Sequence, residues 1–253
     1  MELEILSDLL GGGPINTALQ IFAVGAMVLA IGIWIMEFAG WTISRRGFVR
    51  NNIRWNAQAI ALIAVCAAIY IAARPLQIQF VPGIGGFNPS HLLAPVLSVL
   101  FGLPGAVGVT FSMPIGDALT GQLTLGSVAG FLSHTYVTWL VYKMVPKPSL
   151  RTASSIASFY LWAVIITPLI HSIVIPGWLD LTNVLPPAVA WGIVTPAIWI
   201  NHGLTTAVIG GPLLFVLYPW VRQWGLFHGD QDDGGQRRRE RSETARAEED
   251  QGA

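Results

Sequence analysis

Residues 95–121 read PVLSVLFGLPGAVGVTFSMPIGDALTG, and Asp117 is the only charged side chain among them. Two apolar runs meet at the tight turn Gly102-Leu103-Pro104-Gly105, so the segment enters and leaves an apolar layer. A charge in the middle of a bilayer costs at least ~2.5–3.5 kcal/mol even on lenient insertion scales. A carboxylate retained there needs a substrate, an ion path or a buried partner.

Working outward, the pattern persists. From Trp55 to Tyr142 the only charged side chains are Arg74 and Asp117. The whole chain is 53% hydrophobic and 11% charged, with mean hydropathy +0.58, against roughly 25% charged for a soluble domain. This is the composition of an all-α integral membrane protein. The formal net charge of zero gives nucleic acid nothing to bind. The single cysteine, Cys66, excludes an intrachain disulfide. Residues 1–8 are acidic and the first apolar run is long, which is not the pattern of a cleavable signal.

With a ~20-residue helix as the ruler, the expected spans are residues 16–41, 57–73, 89–101, 104–120, 123–142 and 154–175. The region 186–221 is too long for one straight span. Pro196 and Asn201-His202-Gly203 are expected to break it into a partial helix, 187–200, and a seventh span, 203–221. Lys and Arg near span ends set orientation. Arg45, Arg46, Arg50 and Arg54, then Lys143, Lys147 and Arg151, then Arg222 and Arg237–Arg239, share one side only if the spans number seven. That side is expected to be cytoplasmic, with residues 1–8, the 74–87 loop and Asp180 outside. The chain then divides into an N-terminal span and basic linker (1–54), a membrane domain (55–226) and a tail (227–253). Residues 229–253 hold 8 acidic and 5 basic side chains and no large apolar one, so a disordered cytoplasmic tail is expected.

This topology brings polar residues of five segments into one leaflet: Asn88, His91, Asp117, His134, His171, Asn201 and His202, with Arg74 at the edge. Convergent polar groups in an apolar bundle make a binding site. Each also has a structural reading. His91 caps a short helix, and His171 bonds a carbonyl released by Pro168. Asn201 and His202 sit at an interface. Arg74 holds an anionic group, pairs with Asp117, or snorkels. No pair of these histidines has the i, i+3 or i, i+4 spacing of a helical metal site, so no metal is expected. No Gly-x-Ser-x-Gly occurs and no nucleotide-binding Gly-x4-Gly-Lys-Ser/Thr. Trp139, Trp178 and Trp199 are candidates to stack on a flat ligand.

Small residues form a second pattern. Ala57, Ala61, Ala64, Ala68 and Ala72 make one stripe along the second span, and Gly108, Ser112, Gly116 and Thr120 make another along the fourth. Such stripes let helices approach closely in lipid. The glycine stripe fits internal packing. The alanine stripe fits either that or a surface for another protein.

Residues 57–75, with Ala64-xxx-Ala68-xxx-Ala72, resemble the first helix of the substrate-binding S components of energy-coupling factor (ECF) vitamin transporters. Residues 76–87 resemble the loop that covers their substrate. Residues 95–121, with Phe101-Gly-Leu-Pro-Gly-Ala106 and Ile115-Gly-Asp117, resemble their second and third helices, and Leu123–Phe131 the entry to the fourth. The likeness spans about 55–224. It implies a six-helix bundle binding a vitamin or cofactor precursor, docked through Ala64, Ala68 and Ala72 on a membrane-embedded coupling protein driven by two cytoplasmic ATPases. The chain would then be no enzyme and carry no cofactor of its own. Two features depart from that family: the additional span 16–41, and the absence of the N-terminal Met-His of its cobalt and nickel members. A self-contained secondary transporter or channel and an intramembrane metal-dependent enzyme are the alternatives. The first lacks an inverted repeat, the second any catalytic spacing.

Overall fold

The computed structural model describes residues 13–44, 47–51, 55–76, 78–81, 85–145 and 148–228. Seven helices follow one another among them: α1 (Pro14–Phe38), α2 (Ala57–Leu76, its last turn 3₁₀), α3 (Ser90–Phe101), α4 (Leu103–Leu119), α5 (125–144), α6 (Ala153–Leu181) and α7 (Pro187–Gln223). Helices α1, α2, α6 and α7 are long and apolar enough to cross a membrane. Two antiparallel hairpins join helices. β1 (Trp41–Ser44) pairs with β2 (Gly47–Arg50), and β3 (Ile78–Val81) pairs with β4 (Gly85–Phe87). Both lie where only loops are expected from the sequence, because short hairpins between apolar helices carry little periodicity of their own.

Each helix runs opposite to the one before. At one end of the bundle, marked by the β3–β4 hairpin, Asn16 of α1 meets Trp191 of α7 and Asp180 of α6 shares the same indole. At the other end, marked by β1–β2, Glu37 of α1 meets Trp139 of α5. Arg50, Lys143, Arg151 and Arg222 all belong to this second end. Arg45, Arg46, Arg54, Lys147, residues 1–8 and the tail 229–253 lie outside the described residues.

In lipid, helices associate through close packing and interhelical hydrogen bonds rather than through the hydrophobic effect. The α2–α4 contact shows this. A Cβ on Gly108 would come within 2.5 Å of the Ile63 carbonyl oxygen, so only glycine admits α2 at that distance. The glycine stripe of α4 is therefore internal packing. Cys66 and Tyr70 of α2 face inward with Val109 and Met113 of α4. Ala57, Ala61, Ala64, Ala68 and Ala72 lie on the exposed face. Helix α1 is not an appendage. It packs along α6 and α5, Trp34 donates to Thr135 Oγ1 (2.8 Å), and Tyr136 donates to the Ala26 carbonyl (2.6 Å).

The expected break in the last region is absent: Pro187–Gln223 is one 37-residue helix. It stays whole because Pro196 and Pro212 each follow a π turn, Ala190–Val194 and Thr206–Gly210. Pro168 of α6 repeats the device after Tyr160–Ile166. A proline removes one donor and leaves a carbonyl unpaired, and a π turn absorbs the misfit. Side chains take up carbonyls in these turns. Thr167 donates to Trp162 O (2.9 Å), Thr195 to Ala190 O (3.1 Å) and Tyr160 to Ala207 O (3.0 Å). Helix α6 likewise runs through Pro176 to Leu181, six residues beyond the expected end at 175. His171, Asn201 and His202 therefore lie inside helices rather than near their ends, and Asp180 is buried in α6 rather than placed in a loop.

Candidate functional site

Four imidazoles from four helices meet inside the bundle. The ring centroids of His91 (α3) and His202 (α7) are 3.6 Å apart and nearly parallel. His171 (α6) lies 4.5 Å from His202 and 4.9 Å from His134 (α5). His134 and His171 stand nine residues from Leu125 and Asp180 respectively, or ~14 Å along a helix at 1.5 Å per residue. The cluster therefore sits well inside the bundle from the β3–β4 end. Gly203 permits this, since a Cβ there would come within 2.9 Å of Val164 O and push α7 away from α6. Helix α3 has only twelve residues. It starts partway into the bundle and presents His91 at its N-terminus, while the β4 backbone lies against the 195–205 segment of α7.

Six of the eight expected site residues join this cluster. Asn88 N–H donates to Asn201 Oδ1 (3.1 Å), and Asn201 Nδ2 lies 3.3 Å from His91 Nδ1. Asn88 Oδ1 also accepts from the backbone and hydroxyl of Ser90 (3.0 and 2.6 Å). His171 Nδ1 meets Ser133 Oγ at 2.7 Å. His134 Nε2 meets the Tyr70 hydroxyl at 2.9 Å, and its Nδ1 lies 3.1 Å from Gly130 O. His202 is wholly buried, and neither of its ring nitrogens has a hydrogen-bond partner among the described residues. His91 and Asn201 are the partly exposed members.

Arg74 and Asp117 close on each other instead. They form a buried ion pair, both side chains about 5% exposed, and the Arg74 stem packs on Gly116. Pairing with Asp117 is one of the open readings of Arg74. Tyr70 stands one turn before Arg74 on the same face of α2 and links that helix to His134.

Three expectations about aromatics are corrected. Trp139 is buried at the opposite end, where its Nε1 donates to Glu37 Oε1 (2.6 Å). Trp178 donates to Leu125 O (3.1 Å) and Trp199 to Ile165 O (3.3 Å), both on the bundle exterior. None lines the cluster. Tyr70 and Ser133 do contact it and escaped the sequence reading, because a lone hydroxyl inside an apolar run carries no pattern. Glu37 also went unread, although a carboxylate within an apolar span is the same signal that drew attention to Asp117. It accepts from Thr42 and from Asn51 Nδ2 (2.9 Å), and Lys143 Nζ stands 3.6 Å away.

Comparison of the chain with protein-family models, with curated proteins and with solved structures finds no match.

Proposed function

We propose that this chain is the membrane-embedded substrate-capture subunit of an ATP-driven importer, built as an S-component-like bundle of six spans plus the additional helix α1. The substrate is a vitamin or similar small cofactor precursor. The observation that supports this best is the division of α2 into two faces. One face carries Tyr70 and Arg74 into the polar interior. The other presents Ala64, Ala68 and Ala72 along an uninterrupted exposed stripe. A single rigid helix thus joins a ligand site to a surface on which a coupling protein packs closely.

In this reading the N-terminus and the β3–β4 end face outside, and the basic β1–β2 end and the C-terminal tail face the cytoplasm of a cell membrane. The chain does no chemistry. A membrane-embedded coupling protein and two cytoplasmic ATPases drive release. Substrate enters beneath the 76–87 segment and meets His91, His134, His171, Asn201 and His202, with Asn88 bracing Asn201 and the Arg74–Asp117 pair holding α2 to α4.

The test is Ala68→Trp. It is expected to abolish co-purification of the coupling protein and ATP-dependent uptake while the protein stays folded. Retention of the partner at wild-type yield makes the stripe plain lipid-facing surface and removes the proposal. Mass spectrometry of small molecules that co-purify with the chain identifies the substrate.

A further inference from the structure

The hydrogen-bond partners of the four imidazoles assign their protons. Gly130 O can only accept, so His134 carries its proton on Nδ1, and its Nε2 accepts from Tyr70. The Ser133 hydroxyl donates to Ala129 O (2.6 Å), so it accepts from His171 Nδ1–H, which leaves His171 Nε2 as a lone pair. Asn201 Oδ1 is taken by the Asn88 N–H, so its amide nitrogen faces His91 Nδ1 and donates to it. His91 as a neutral ring therefore carries its proton on Nε2. His202 contributes one N–H and one lone pair, both without a partner among the described residues.

We infer that the cluster takes an uncharged, flat heterocycle whose edge carries both a hydrogen-bond donor and an acceptor, as in a cyclic amide or ureide. The inference rests on reading the cluster as the ligand site of the proposed capture subunit. His91 offers a donor, His171 an acceptor, and His202 between them offers one of each. Buried polar groups of this kind are satisfied in nearly all native proteins, and a donor–acceptor edge satisfies them together. The rings of His91 and His202 already stack, 3.6 Å apart, the contact that a flat ligand ring would extend.

A metal ion fits less well. His134 has both nitrogens engaged and His91 presents a proton, so only His171 and His202 offer lone pairs. Even an open zinc site uses three protein ligands, and among the described residues no three His, Cys, Asp or Glu side chains are placed to hold a metal. A charged ligand fits less well too. The nearest charges, Arg74 and Asp117, form one buried ion pair with no net charge, and an uncompensated charge at this depth is costly.

The test uses purified wild-type protein in lipid nanodiscs, without coupling partners, and ligand-observed NMR with three probes of one shape at millimolar concentration. Uracil is neutral and keeps its N–H groups, 1,3-dimethyluracil lacks them, and orotate is an anion. Zinc ion is the fourth probe. Uracil is expected to bind about tenfold or more tightly than dimethyluracil or orotate, the size of one lost hydrogen bond. His202→Leu is expected to weaken uracil by a similar factor. Nitrogen-15 spectra of the histidines are expected to show Nδ1–H at His134 and His171 and Nε2–H at His91. Orotate or zinc binding as tightly as uracil overturns the inference. So does failure of uracil to bind the folded wild type, or unchanged uracil binding in folded His202→Leu. Inverted tautomers at His91 and His171 overturn it as well, and like the wild-type probe ranking they need no variant to fold. Ala68→Trp co-purification bears on the capture reading alone, so the two fail separately.

Discussion

Glu37 and His202 are both wholly buried polar side chains, one at the β1–β2 end of the bundle and one in its interior towards the other end. Glu37 has both carboxylate oxygens engaged: Trp139, Thr42 and Lys143 converge on Oε1, and Asn51 holds Oε2. His202 has neither nitrogen engaged. A satisfied buried network rigidifies and fixes one arrangement, whereas an unsatisfied buried group stands at a desolvation cost of ~1–3 kcal/mol that something must offset. The first region is a latch. The second has hydrogen-bonding capacity that none of the described residues uses.

The largest test of that contrast is the Arg74–Asp117 pair, which lies near the cluster yet, like Glu37, is held by a partner within the chain, as a buried ion pair. Asp117→Asn leaves a buried guanidinium uncompensated and is expected to cost about 3–5 kcal/mol of stability, read from unfolding in a fixed lipid mimetic. Adding Arg74→Met is expected to recover most of it. An unchanged stability with lost ligand affinity would instead move Asp117 into the binding site. Next in size, Glu37→Leu is expected to destabilise by about 2–3 kcal/mol, because the Trp139 N–H and the Lys143 ammonium lose a buried acceptor. Uracil binding should stay at the wild-type level. Thr135→Val removes the acceptor of Trp34 and is expected to cost about 0.5–1.5 kcal/mol; a null effect would mean that shape alone holds α1 at mid-height. Smallest of all, His202→Leu is expected to leave stability within ~1 kcal/mol of wild type, since no protein hydrogen bond is lost. A larger loss by the same unfolding assay erases the distinction between the two regions.

How far these regions were legible from sequence follows the same line. The second span is legible at about 57–73 because its apolar run is unbroken; the helix runs from Ala57 to Leu76 and is capped by Asn56, which accepts from the Ala59 N–H (2.9 Å). Spacing alone shows both small-residue stripes and favours packing for the glycine stripe; that the alanine stripe is exposed comes from the structure. The last region misled. Pro196 and Gly203 read as helix breakers under rules set by water, where a released carbonyl has a solvent partner. Inside the bundle, Thr195 and Tyr160 take up carbonyls and a π turn absorbs the proline. The expected topology brings Asn88, His91, His134, His171, Asn201 and His202 into one leaflet, with Asp117 and Arg74. It could not say that Arg74 and Asp117 would choose each other, since both readings place them at the same helix ends. Tyr70 and Ser133 were out of reach, because what they do depends on which ring faces them across the bundle.

The Glu37 latch also bears on how the chain is made. Trp139 stands 102 residues further along, and at ~5–20 residues per second of synthesis it emerges about 5–20 s after Glu37. In that interval the carboxylate stands without its partner from α5. Thr42 and Asn51, five and fourteen residues on, arrive within a second or a few. The β1–β2 hairpin and the residue that follows it thus hold the partners that Glu37 can reach first, before α5 brings Trp139.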